Sequence, residues 1–150
     1  MGRLDEALDD LNEAIHLSNE SNSTFYYARG IVYGKMDLHT EAVKDYTQVI
    51  TLTKDKEGRD ATERFQALYN RGNAFRLLGN LDASIEDLTE AIKINGTDPH
   101  AKNNLGLSYL DNKDFDLALE EFNKAITIQK DSSTLYNNRG LVYYHKHEYE

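Results

Sequence analysis

The feature that most constrains this chain is a phrase written four times at fixed spacing. The segments YYARGIVYGK from Tyr26, LYNRGNAF from Leu68, NNLGLSYL from Asn103 and LYNNRGLVYY from Leu135 each carry a glycine, at Gly30, Gly72, Gly106 and Gly140. The last two intervals are 34 residues each and the first is 42, the same period with eight residues inserted. Twelve residues after three of the glycines stands a small residue, Ala42, Ser84 or Ala118, and seven further on stands Val49, Ala91 or Ala125. The N-terminal LDEALDDLNEAIHL carries Ala7 and Ala14 in the same two places. A period of this length predicts an array of helical hairpins, in which each unit buries its apolar face only by stacking on its neighbours.

Each unit reads as two helices. Leu68, Arg71, Gly72, Phe75 and Leu78 recur at three- and four-residue steps, as do Leu81, Ile85, Leu88, Ala91 and Ile92, with a turn at Leu78 to Asn80 between them. The small residues have a steric task. Gly72 and Ser84 are expected to face each other across the hairpin so that the axes approach closely. Asp98-Pro99 predicts an N-cap with proline at the first helical position. Asp60 with Glu63 predicts a capping box, so the insertion EGRDATER should lengthen the following helix backward.

Composition closes off several classes of function. Cysteine is absent, which removes disulfides, thiolate metal sites and thiol nucleophiles. A formal charge of −9 opposes binding to a phosphate backbone, which needs a basic stripe. No apolar run approaches the ~20 residues that span a bilayer, and the N-terminus lacks the apolar stretch of a signal peptide. A soluble, cytoplasmic protein without membrane or nucleic-acid partners is expected.

The pattern resembles the tetratricopeptide repeat (TPR), and the resemblance covers essentially the whole chain. With the glycine at repeat position 8, residues Leu68 to Asn95 fit the family's preferences at positions 4, 8, 11, 20, 24 and 27, with Ser84 at the usual alanine. The family's terminal proline is replaced by Lys54, Gly96 and Lys130. The implied fold is all-α, a right-handed α-solenoid of antiparallel helix pairs. The expected organisation is one domain over 1–150: half repeat 1–22, repeats 23–56, 65–98 and 99–132, insertion 57–64 and half repeat 133–150. The two flanking helices are expected at Leu4–Leu17 and Ser133–Lys146. An array that begins and ends mid-repeat reads as a piece of a longer solenoid.

TPR proteins resemble one another in holding peptides or partner segments in a concave groove lined by the first helices. By that resemblance the groove-facing residues here include Tyr27, Tyr69, Asn70, Asn73, Asn103, Asn104, Asn137 and Asn138. Asn70, Asn104 and Asn138 share one repeat position in three successive units. A primary amide both donates and accepts, so it can pair with any peptide backbone. Helices packed ~10 Å apart against a chain rising ~3.3 Å per residue place one asparagine at roughly every third peptide residue. This is similar to the asparagine ladder in the TPR superhelix of O-linked N-acetylglucosamine transferase. Asparagine merely tolerated on a wet helix face is the plainer account of the same residues. A carboxylate clamp of the co-chaperone TPR type fits badly. From Tyr69 its positions read Tyr69, Asn73, Asn104, Thr134 and Asn138, and every cation that would bind a terminal carboxylate is missing.

Arg29, Arg71 and Arg139 stand where leucine is common in the family, and Asp45 and Asp87 stand opposite the first two. Guanidinium–carboxylate pairs within the hairpins are expected; an anion site is the alternative. Tyr26, Tyr33, Tyr46, Tyr109, Tyr136 and Tyr143 fall at core positions. The acidic surplus falls on second helices and reads as a solvated face. His145 and His147 splay by ~200° on a helix, so no metal site is expected. No catalytic set can be assembled, and no cofactor is implied. The functional expectation is a non-catalytic scaffold binding an extended peptide in the groove. The alternative is a structural or spacer segment of a larger assembly. The flanking half repeats are complementary, which predicts head-to-tail self-association.

Overall fold

Each helix starts and stops where its own side chains and turns dictate. The computed structural model describes residues 2–54 and 59–149. These form α1 (Gly2–Leu17), α2 (Ser23–Lys35), α3 (His39–Leu52), α4 (Arg59–Leu77), α5 (Leu81–Ile94), α6 (Pro99–Asp111), α7 (Phe115–Ile128) and α8 (Ser133–Tyr149). The flanking helices α1 and α8 are slightly longer than the periodicity suggests. The Asn22 side chain caps α2 by accepting from the Thr24 amide at 3.0 Å, and Asp98 caps α6 by accepting from the Ala101 amide at 2.7 Å. Pro99 opens α6, where its missing N–H costs nothing.

The three hairpin turns share one device. Asp37, Gly79 and Lys113, at the same repeat position, have φ of 59°, 78° and 66°. Only the middle turn uses glycine for this left-handed residue. Residues 59–64 of the insertion extend α4 backward. Glu57, Gly58 and the side chain of Asp60, hence the expected capping box, lie outside the described residues. Glu63 accepts from the hydroxyls of Ser23 and Thr24 at 2.7 and 3.0 Å, tying α4 to the start of α2.

The glycines let the helix pairs close. A Cβ at Gly30 would lie 2.7 Å from the Tyr46 ring, at Gly72 2.8 Å from Leu88 Cγ, and at Gly106 2.9 Å from the Phe122 ring. This corrects the expected pairing of Gly72 with Ser84. The atoms nearest such a Cβ belong to Leu88 and Asp87, about one helical turn beyond Ser84 along α5. Ser84 instead faces the next repeat, with its buried hydroxyl 2.8 Å from that of Ser108.

Bidentate ion pairs cross two of the hairpins. Arg29 Nε and Nη2 donate to Asp45 at 2.8 and 2.7 Å, and Arg71 makes the same pair with Asp87 at 2.7 Å for both bonds. The remaining nitrogen Nη1 reaches back to the preceding second helix, from Arg29 to Asn12 Oδ1 at 2.7 Å and from Arg71 to Thr47 Oγ1 at 2.9 Å. Each arginine thus joins its own hairpin to the second helix before it. In the third hairpin Leu105 replaces the arginine, and Glu121 is neutralised by Lys124 at 2.7 Å.

Curvature follows from which helices touch. Successive first helices α2, α4, α6 and α8 contact one another, whereas no such contact joins successive second helices among the described residues. The first helices therefore converge on an inner face, and the second helices splay outward. Tyr26 and Tyr46 are buried as expected, while Tyr33 and Tyr109 are half-buried. Tyr136 and Tyr143 are 47% and 55% exposed on α8, whose outer face carries no second helix among the described residues.

Candidate functional site

The inner face is built from the same positions of α2, α4, α6 and α8, so each side chain meets its counterpart in the next repeat. Asn70 Nδ2 donates to the Tyr27 hydroxyl at 3.0 Å. Asn138 Nδ2 donates to Asn103 Oδ1 at 2.8 Å. Between them, Asn104 acts as a side-chain donor toward the Tyr69 phenol. These are one contact made three times: repeat position 5 of one unit accepts from the asparagine at position 6 of the next. Asn103 also donates to Asn104 Oδ1 at 3.2 Å.

This zipper changes what the asparagines in register have to offer. Asn104 uses both its amide nitrogen and its carbonyl oxygen, and Asn138 is buried with its nitrogen engaged. Asn70 uses one amide hydrogen and keeps its carbonyl oxygen. Asn73 lies half-buried beside it, in the wall of a cavity of about 310 Å³ between α2 and α4, shared with Ile31, Lys35 and Leu77. Asn137 is exposed at the start of α8. The amides at the shared position therefore hold successive repeats in register. The sequence disclosed their period but not this partner, because tyrosine at Tyr27 and Tyr69 and asparagine at Asn103 play one role.

The phenols gain from the same arrangement. Burial, the largest influence, raises the pKa of Tyr27 and of Tyr69, although a bond from an asparagine acts on each in the opposite direction. Each hydroxyl therefore stays protonated and, having accepted from an amide, keeps its own hydrogen to donate. A second cavity, of about 250 Å³, opens beside them and is lined by Tyr27, Phe65, Gln66, Tyr69, Asn70, Asp98 and His100. Arg76, which faces the groove further along, is paired with Asp111 at 2.8 Å.

Three TPR family models match this chain, described as tetratricopeptide repeat over residues 23–56 and 65–98 and TPR repeat over 106–146. The chain belongs to the tetratricopeptide repeat family. Among solved structures it is similar to MamA, at 25% identity and a TM-score of 0.85, covering 97% of this chain and 80% of that one. It is also similar to YrrB, a TPR protein with an unusual peptide-binding site, at 22% identity and a TM-score of 0.78, covering 97% and 71%. The first TPR domain of Spaghetti (RPAP3), bound to the HSP90 peptide SRMEEVD, aligns at 15% identity and a TM-score of 0.72, covering 80% and 89%. The last two likenesses concern the fold. A comparison with curated protein sequences finds no match. No helix among the described residues is long and apolar enough to cross a membrane.

Proposed function

We propose that this chain is a non-catalytic protein-interaction scaffold whose inner groove takes an extended segment of a partner protein. The observation that carries this reading is the set of hydrogen-bonding groups left over beside the zipper. Tyr27 and Tyr69 retain hydroxyl hydrogens, Asn70 retains its carbonyl oxygen, and Asn73 lines a cavity with Asn70, Ile31 and Leu77. Donors and acceptors side by side in one groove suit a peptide backbone whatever its side chains. On this reading the asparagine ladder takes an altered form, resting on Asn70, Asn73 and Asn137, with Asn103, Asn104 and Asn138 as its frame.

Isothermal titration against a library of extended peptides tests this. Asn73→Ala should weaken sequence-tolerant binding about three- to tenfold, the effect of one hydrogen bond at ~0.5–1.5 kcal/mol, and leave the melting temperature in place. Asn104→Ala should lower both, because it opens the zipper. Library binding that Asn73→Ala leaves intact would remove the ladder.

A second reading, self-assembly, is favoured by the outer face of α8. Among the described residues a Cβ at Gly140 meets nothing within 4 Å, whereas its three counterparts are each pressed by a bulky residue of a second helix. Arg139 Nη1 reaches Asn123 Oδ1 at 2.7 Å, the backward half of the pairing that Arg29 and Arg71 make. The forward half calls for a helix with an acidic residue followed by a bulky apolar one. In α1, Asp10 and Leu11 occupy those repeat positions, flanked by Ala7 and Ala14. On this reading α1 of a second copy docks on α8, a head-to-tail contact that can propagate. Sedimentation should give a mass that rises with concentration. Asp10→Arg and Arg139→Asp should each be monomeric alone and associate when mixed. A wild type that stays monomeric at high concentration would eliminate this contact.

A further inference from the structure

The cavity beside Tyr27 and Tyr69 has a character the rest of the groove lacks. Phe65 and Tyr69 stack one turn apart on α4, with ring centroids 6.3 Å apart and planes at 22°. Tyr27 from α2 adds a third ring to the lining, and Asp98, at the start of α6, adds a carboxylate. Asp98 accepts from the Ala101 amide through Oδ1, which leaves Oδ2 to a ligand. No lysine or arginine lines the cavity among the described residues. The negative charge of Asp98 is felt at the Tyr69 phenol and that of Glu63 at the Tyr27 phenol, each raising its pKa further.

From this geometry we infer that the cavity is a specificity pocket for an arginine side chain of the partner segment. A volume of about 250 Å³ lies below the range for cofactors and drug-sized ligands, and suits one long side chain. Aromatic faces attract a cation through their quadrupole, and a planar guanidinium also stacks on them, which an ammonium cannot do. Asp98 Oδ2 supplies the charge-assisted acceptor. The pocket adjoins Asn70 at the edge of the inner groove, so a backbone held by the groove amides would turn one side chain into it. The inference rests on the groove reading and adds the chemistry of one partner residue.

The test uses the whole chain and two blocked pentapeptides of alanine and glycine, one with a central arginine and one with citrulline, its neutral isostere. Binding is followed by amide chemical shifts. The arginine peptide should bind at least tenfold more tightly and shift the amides of Phe65, Tyr69 and His100. Asp98→Asn keeps the helix cap, since asparagine caps well, and should bring the two peptides within about twofold. Phe65→Leu keeps an apolar side chain without the π face and should also reduce the preference. Equal binding of both peptides, with shifts at Asn70 and Asn73, would overturn the arginine pocket and leave the groove reading standing. An arginine preference that survives Asp98→Asn would also overturn it. Binding of neither pentapeptide would overturn the pocket, while the peptide library decides the groove reading separately.

Discussion

Replacing Asp87 with alanine should destabilise the fold by about 3–5 kcal/mol, the usual cost of stranding one charge of a buried pair. At ~2–4 °C per kcal/mol for a chain of this size, the melting temperature should fall by roughly 6–20 °C, as read by circular dichroism. The side chains of Arg71 and Asp87 are only 17% and 7% exposed. Without Asp87 the Arg71 guanidinium keeps its bond to Thr47 and loses both bonds to its own hairpin. The intact pair contributes little net stability, because burial pushes the Asp87 carboxyl above its usual range even against the two bonds from Arg71. The double variant Arg71→Leu/Asp87→Leu should therefore recover most of the loss. The third hairpin already dispenses with the arginine, having Leu105 in its place and Lys124 to neutralise Glu121. The pH dependence follows from the same shift. A carboxyl whose pKa rises on folding contributes stability in full below its unfolded value, and loses it as pH rises through the folded value. Thermal melts of wild type and Asp87→Asn should accordingly differ in wild type's favour most at the acid end, and that advantage should shrink as pH rises above about 4.

Gly72→Leu should be nearly as damaging, and Gly140→Leu should be harmless. At Gly72 even a Cβ would lie 2.8 Å from Leu88 Cγ and 3.3 Å from Asp87 Cβ, both on the facing helix. Forcing the helices apart costs about 1–3 kcal/mol from overpacking alone, and displacing Asp87 disturbs the ion pair as well. At Gly140 an added Cβ meets nothing within 4 Å among the described residues, so leucine should raise stability by up to ~1 kcal/mol through helix propensity. Urea unfolding measures both. Gly140→Leu should also block head-to-tail association in sedimentation, since it fills the seat that a second helix would need. An equal cost at the two glycines would contradict a hairpin closed by close approach at Gly72.

Much of the fold was legible before any coordinates. Four glycines in register and the small residues after three of them imply helical pairs. The charges at Arg29, Asp45, Arg71 and Asp87 imply the pairing observed at 2.7 to 2.8 Å. Less of the candidate site was legible. The shared position of Asn70, Asn104 and Asn138 is visible in the sequence, but their bonds to Tyr27, Tyr69 and Asn103 are not. Those acceptors differ in chemistry from repeat to repeat, so no residue pattern announces them. The aromatic cavity escaped for a related reason. Phe65 is far in the chain from Asp98 and His100, and neither Phe65 nor Asp98 is among the groove-facing positions inferred from the family resemblance.

The sequence by itself determined the period, the all-α class and which face of each helix is apolar, because periodicity records how side chains fall around a single helix. It carries no measure of how far one helix slides along another. Only the tertiary structure decided that Gly72 meets Leu88 and that Ser84 reaches Ser108 in the next repeat. It also decided that Asp37 and Lys113 take the left-handed conformation that glycine supplies at Gly79. In these turns, closing the hairpin outweighs the local preference of a residue with a side chain. The offset between antiparallel helices and the stagger between repeats are properties of packed surfaces, and the groove amides are spent or spared according to both.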